Sequence, residues 1–235
     1  MAQAYIVDAL RTPTGRRRGG LAEMHPADLG AHVLKALVER NDVPADDYED
    51  VIFGCVDTIG PLAGDIARTC WLAAGLPLHV PGVTIDRQCG SSQQSVHFAA
   101  QAVLSGTMDV VIAGGVQAMS QIPISAAMLA GQELGFGDPF TGSTGWVERF
   151  GDSLVTQFNS AEMIADKWGL SRQDLEQYAL TSNERAFKAM DEGRFDREIV
   201  ETRGVTMDET PRRGTTLAAM AELNPIQEGG KITAA

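Results

Sequence analysis

Basic residues are in short supply: 19 Lys and Arg face 31 Asp and Glu, a net charge of −12 over 235 residues. A nucleic-acid binder carries a basic face. The only basic run, Arg16-Arg17-Arg18 between glycines, reads as a solvated turn, so a nucleic-acid partner is excluded. Cysteine is also sparse. Cys55, Cys70 and Cys89 are odd in number and widely spaced, which fits neither a disulfide framework nor a zinc site. Reduced thiols, a cytoplasmic setting and no bound metal are the simplest expectation. No stretch approaches the roughly 20 apolar residues that a membrane-spanning helix needs, so no membrane insertion is expected. The opening MAQAYIVDALRTP lacks a basic start followed by an apolar run, and no secretory signal is expected. Aromatics are few, at 6%. What is abundant is small and apolar: 44% hydrophobic residues and 25 glycines, a mix that reads as α/β and neither disordered nor fibrous.

The first 120 residues alternate short apolar runs with helical patterns. Ala4 to Val7 predicts a buried strand, ended by Arg11-Thr12-Pro13. Ala27 to Arg40 places Leu29, Val33, Leu37 and Val38 at helical spacing, with Pro26 near the start, where a missing N–H costs nothing. A strand is expected over 50–56, a helix over 65–74 stopped by Gly75, and a strand over 82–87. A small-residue helix over 92–105 ends at Gly106, and a fully apolar strand follows over 109–113. Strands alternating with helices predict a mostly parallel sheet. After Met119-Ser120 the pattern changes. Residues 121–158, including PFTGSTGW, are glycine-rich with little periodicity and read as an excursion from the sheet. Helices resume over 160–168 and 171–190, the second with Ser171 as N-cap. A boundary near residue 120 is expected, with domains 1–120 and 121–235.

The segment Asp86-Arg87-Gln88-Cys89-Gly90-Ser91-Ser92 joins a predicted strand to a predicted helix. A thiol at a helix start meets unpaired N–H groups and the positive end of the macrodipole, which favour the thiolate, the reactive form. Gly90 leaves room for a substrate beside the sulfur. A thiolate suits exchange of an acyl group between thioesters. The alternative, that Cys89 is one more small core residue, stands beside this reading on physics alone. Cys55 and Cys70 fall inside a strand and a helix pattern and read as core.

Several motifs then carry a family resemblance that runs from end to end. Ala9-Leu10-Arg11-Thr12-Pro13-Thr14-Gly15 with Gly19-Gly20-Leu21, Cys89-Gly90-Ser91-Ser92-Gln93-Gln94-Ser95, Ala113-Gly114-Gly115-Val116-Gln117-Ala118-Met119-Ser120 and Gly193 to Val200 resemble, in order, stretches of the thiolases. These include acetyl-CoA acetyltransferases and 3-ketoacyl-CoA thiolases. Thr215-Thr216-Leu217 and Leu223 to Ala234 resemble the exit of their loop domain.

The resemblance implies a mixed sheet covered by helices, its first half incomplete, with an inserted, mainly helical loop domain for coenzyme A. It implies that Cys89 is the nucleophile, holding an acyl thioester in thiolysis of 3-ketoacyl-CoA or in Claisen condensation of acetyl-CoA. Coenzyme A and acyl-CoA would be substrates, with no permanently bound cofactor, and homodimers or homotetramers are implied. The family arginine that meets coenzyme A falls on Arg212, beside Arg213; an exposed charged turn is the alternative. A family serine at the pantetheine falls on Ala219, so that contact is expected to be lost. Where short-chain members carry His-Met-Gly, this chain has Thr156, Gln157 and Phe158, an altered pocket wall closer to thiolases of lipid or steroid breakdown. The family's usual Glu is Gln117 here.

The family's activating histidine lies in Gly-His-Pro and its second cysteine in Cys-x-Gly-Gly-Gly; neither run occurs in these 235 residues. The chain by itself is therefore expected to lack thiolase turnover, to end where the first domain should resume, and to expose apolar surface. Two other readings are a decarboxylating condensing enzyme of the same superfamily, which lacks the long loop domain, and a non-catalytic fragment that binds acyl-CoA or lipid.

Overall fold

The computed structural model describes residues 3–140, 142–151, 153 and 155–235. Thr141 of the PFTGSTGW run, with Asp152 and Leu154 of the excursion, lies outside them. Two compact units form: Met1–Phe136 with Arg197–Glu209, and Gly137–Asp196 with Thr210–Ala235.

The first unit is built on a parallel three-stranded sheet. Its strands are β1 (Asp50–Gly54), β2 (Gly82–Ile85) and β3 (Val111–Gly115), in the order β2-β1-β3. Helix α1 (Pro26–Arg40) precedes the sheet, α2 (Ile66–Ala73) joins β1 to β2, and α3 (Ser91–Ser105) joins β2 to β3. The two crossovers run in opposite directions along the sheet, the first from β1 to β2 and the second from β2 past β1 to β3. Right-handed connections then place α2 and α3 on opposite faces. The apolar stripe of α1 enters the core through Leu34 and Val38, where it meets α2. Trp71, Ile66 and Leu62 are fully buried around Val51 and Phe53 of β1. Pro26 opens α1, and the His25 ring nitrogen accepts the Ala27 N–H. Gly106 ends α3 at φ +73°, a left-handed position that glycine adopts without strain.

The strand expected over Ala4 to Val7 does not form. Residues 3–10 form no regular element and pair with no strand of the sheet, and Tyr5, Ile6 and Val7 are 77–80% exposed. A strand exists only as a partner in a ladder, and this segment makes no ladder with β1, β2 or β3. What holds it is the returning stretch 197–209. Arg11 forms an isolated bridge with Ile199, and its guanidinium binds Asp208 at 2.6 Å and Glu198 at 2.7 Å. The Arg40 Nε binds Asp8 at 2.6 Å.

The compact units therefore divide differently from the boundary near residue 120. Residues 121–136 stay with the first unit because Ile122 packs on its core and Asp57 caps α4 (Ala126–Glu133). Residues 197–209 stay because their acids grip Arg11 and the N–H groups of Thr14 and Gly20.

In the second unit, the excursion contains α5 (Thr144–Phe150), which the sequence pattern does not announce. Its anchor is aromatic: Trp146 lies between Phe140 and Phe150, with centroids 4.7 and 4.6 Å away. Next come α6 (Gln157–Lys167), α7 (Arg172–Asp191) and α8 (Leu217–Ala221). Ser171 opens α7 with a complete capping box to Asp174. Arg172 pairs with the buried Glu176 at 2.6 Å and donates to the carbonyls of Met220 and Leu223, tying α8 to α7.

Candidate active site

The register brings Gly54, Ile85 and Gly115 to the same edge of the sheet, at the carboxyl ends of all three strands. Ligands of open parallel sheets bind at this edge. Helix α3 starts against it, and two glycines permit the approach. A Cβ on Gly54 would overlap the Ser92 backbone nitrogen, and one on Gly115 would overlap the Ser92 hydroxyl. Helix α3 can reach the strand ends only because these positions carry no side chain.

Between β2 and α3 the chain makes a tight, fully bonded elbow. Asp86 accepts the Gln88 N–H at 2.7 Å, and Gln88 sits at φ +48°. The Ser91 hydroxyl accepts the Arg87 N–H at 2.8 Å and donates to the Gln88 carbonyl at 2.6 Å. Gly90 is the N-cap of α3. Cys89 therefore stands one residue before the N-cap, held from both sides, with its side chain exposed. Arg87 donates to the buried Gln94 at 2.6 Å, one turn into the helix.

Cys89 lines a cavity of roughly 310 Å³ with Gly54, Ser92, Gly115, Gln117, Met119 and Ile124. Gln117 receives the Val56 N–H on its side-chain oxygen at 3.1 Å, joining the chain after β3 to the chain after β1. Cys55 also borders this cavity, but it is buried. Burial, then Asp86 and Asp57, push its thiol up to about 11. Cys70 is fully buried under α1, and burial first of all pushes its thiol up to about 12. Both are protonated at neutral pH and poor nucleophiles. Among the described residues none of the four histidines lines the cavity. His25 caps α1, His32 binds the Glu201 carbonyl, His79 binds the Asp46 carbonyl, and His97 is exposed on α3. Among the described residues no cluster of three or more His, Cys, Asp or Glu is arranged for a metal ion. Likewise, no helix is long and apolar enough to cross a membrane.

The other sequence-predicted site residues belong to the second unit. Thr156 is the N-cap of α6, its hydroxyl accepting the Asn159 N–H at 3.1 Å; Gln157 opens the helix, and Phe158 is half exposed. Arg213 lies 4.2 Å above the Phe187 ring and pairs with Asp191. That pair holds the Asp191 carboxyl below the usual range. The exposed Arg212 donates its backbone N–H to Asn183 at 2.9 Å. The structure thus gathers Arg212 and Arg213 along α7, while Thr156, Gln157 and Phe158 form the start of α6. Sequence reasoning did not find Met119 or Ile124 as parts of the Cys89 cavity. Their only local signal is the polar and small-residue run after β3, which carries no periodicity.

Comparison with known proteins bears on the family and the fold. The family described as "Thiolase, N-terminal domain" matches residues 4–235. A steroid 3-ketoacyl-CoA thiolase of Mycobacterium tuberculosis is 53% identical over 100% of this chain and 58% of its own length. A beta-ketoadipyl-CoA thiolase of Acinetobacter baylyi is 38% identical, again over 100% of this chain and 62% of its own length. The chain thus spans about three fifths of the length of these curated relatives. The crystal structure of an acetyl-CoA acetyltransferase of Bacillus anthracis superposes with a TM-score of 0.79 at 30% identity, covering 99% of this chain and 61% of that one.

Proposed function

The chain belongs to the thiolase family, and from that membership we propose that it carries the acyl-accepting part of a thiolase reaction, with Cys89 as nucleophile. The observation behind this reading is the contrast among the three cysteines. Two are buried with their thiols pushed up to about 11 and 12, while Cys89 is exposed at a bonded strand-to-helix elbow and faces a cavity.

In the thiolytic direction the Cys89 sulfur attacks the 3-keto carbonyl of an acyl-CoA. A carbon–sulfur bond forms, the bond between the alpha and beta carbons breaks, and acetyl-CoA leaves once its carbanion takes a proton. The thiol of a second coenzyme A then attacks the thioester, takes the acyl group and returns the proton to Cys89. Condensation runs the same bonds in reverse. Ping-pong kinetics follow from the covalent intermediate. Coenzyme A and acyl-CoA are substrates in this scheme, and it needs no permanently bound cofactor.

For coenzyme A we assign the second unit, with Arg212 and Arg213 at the adenine or phosphates and Thr156, Gln157 and Phe158 beside the acyl arm. A planar guanidinium suits both stacking and phosphate contact. The relative named a steroid 3-ketoacyl-CoA thiolase supports a bulky, lipid-derived acyl group. Three reduced thiols suit a reducing compartment such as the cytoplasm, and self-association into dimers or tetramers belongs to the same reading. Because Gly-His-Pro and Cys-x-Gly-Gly-Gly are absent from the 235 residues, acylation of Cys89 is expected here without multiple turnover.

The test is exposure to acetyl-CoA and to a 3-ketoacyl-CoA, followed by peptide mass spectrometry. An acyl group on Cys89, and on neither Cys55 nor Cys70, supports the proposal. Acyl-CoA bound without any adduct supports the non-catalytic reading instead, and robust steady-state thiolysis overturns the expectation of no turnover.

A further inference from the structure

The cavity beside Cys89 has one wall that no catalytic requirement explains. After β3 the chain runs over residues 116–125 as a strap before entering α4, and three polar side chains pin it. At its start Gln117 accepts the Val56 N–H at 3.1 Å. At its middle the Gln121 amide donates to the Ala22 and Met24 carbonyls at 3.1 and 2.7 Å. At its end the Asp57 carboxylate accepts the N–H groups of Ser125 at 2.8 Å and Ala127 at 3.0 Å. Asp57 is only 6% exposed, stands at φ +57°, and supplies from another element the cap that the Ser125 side chain does not make. Burying a carboxylate and holding a non-glycine residue at positive φ both cost free energy. That cost is offset where the geometry it maintains is needed.

What the pins maintain is an arrangement of apolar side chains. Ile122 is turned inward onto the core, while Met119 and Ile124 remain 61% and 59% exposed and line the cavity with Cys89. Exposed apolar groups held beside a nucleophile by a buried polar scaffold offer contact area to an apolar ligand. We propose that the 116–125 strap is the apolar wall on which the acyl chain carried by Cys89 rests, and that Asp57 is the positioning residue that holds it. The proposal rests on the reading of Cys89 as acyl carrier and adds that Met119 and Ile124 reward longer, apolar acyl groups.

The test uses addition of N-methylmaleimide and N-octylmaleimide to Cys89, with rates read peptide by peptide and N-acetylcysteine as the reference thiol. A fully buried methylene is worth about fourfold in an equilibrium. A one-sided wall captures part of that, so the octyl-to-methyl rate ratio at Cys89 should exceed the reference ratio about tenfold. In Ile124→Ser and in Asp57→Asn, which keeps the side chain's size but loses one of its two acceptors, the ratio should fall toward the reference while the N-methyl rate stays within about twofold. A wild-type ratio equal to the reference, or a ratio that survives either substitution, overturns the wall. Maleimide addition needs only an exposed thiol, so that failure is distinct from failure of the acyl-carrier reading, which appears as a missing acyl adduct while the octyl preference persists.

Discussion

At the scale of single residues, the three cysteines divide by environment. Cys55 and Cys70 sit where burial disfavours the thiolate, and Cys89 sits where the chain turns outward. Cys89 is exposed, so replacing it with serine removes little buried surface. Its cost in an equilibrium denaturation experiment should stay within about 0.5 kcal/mol, while acyl transfer to the chain is lost. Trp71→Ala is the opposite case. That indole is fully buried and donates to the Pro77 carbonyl at 2.8 Å, so truncation should cost about 3–5 kcal/mol. A destabilising Cys89→Ser would mean that the thiol is packed rather than presented. The strand-to-helix position of Cys89 was legible in the sequence because its signal is local: a strand pattern, a short turn, a glycine and a helix pattern in sequence. Asp57 was not, because its partners Ser125 and Ala127 lie about 70 residues away and nothing in its own neighbourhood marks it as a cap.

At the scale of elements, the seat of α3 depends on missing side chains. Gly54→Ala or Gly115→Ala would press a methyl group into the first turn of α3, and overpacking of this kind costs about 1–3 kcal/mol. Each substitution should also slow alkylation of Cys89, because the elbow moves with the helix start. Unchanged alkylation rates would show that the elbow is held independently of the helix seat. The helices α1, α2, α3 and α7 were legible, since their caps and stripes are written in neighbouring residues: Ser171 with Asp174, Gly106 after Ser105, Pro26 before Ala27; α6 was legible only from residue 160, its cap Thr156 and first residues 157–159 lying before the expected start. Helix α5 was hidden because it is short and its aromatic anchor reaches outside it, the Phe140 ring packing at a tilt against Trp146 beside Phe150. The segment Ala4 to Val7 failed in the other direction. It has strand composition, but a strand needs a neighbour, and composition does not report one.

At the scale of the whole chain, the first unit is closed by ion pairs that titrate in acid. The Arg40 hydrogen bond draws the Asp8 carboxyl from 3.8 down to about 2. At Asp208 burial pushes upward, but the hydrogen bonds from Arg11 and the Thr14 N–H outweigh it, and the carboxyl ends below its ordinary value. A carboxyl lowered in the folded state stabilises fully above its unfolded value and loses that contribution as pH falls through the folded one. The thermal midpoint should therefore drop between about pH 4 and pH 2, and Asp208→Asn should lower it at neutral pH while flattening the drop. An identical pH profile in the variant would remove the Arg11–Asp208 clasp from the account. All of this serves to hold one sulfur at the carboxyl edge of the sheet. The most direct test is the rate at which each cysteine of the native chain takes iodoacetamide at neutral pH, followed by mass spectrometry. Cys89 should be alkylated while Cys55 and Cys70 stay unmodified until denaturant is added; equal protection of all three, or preferential modification of Cys55, would contradict the account.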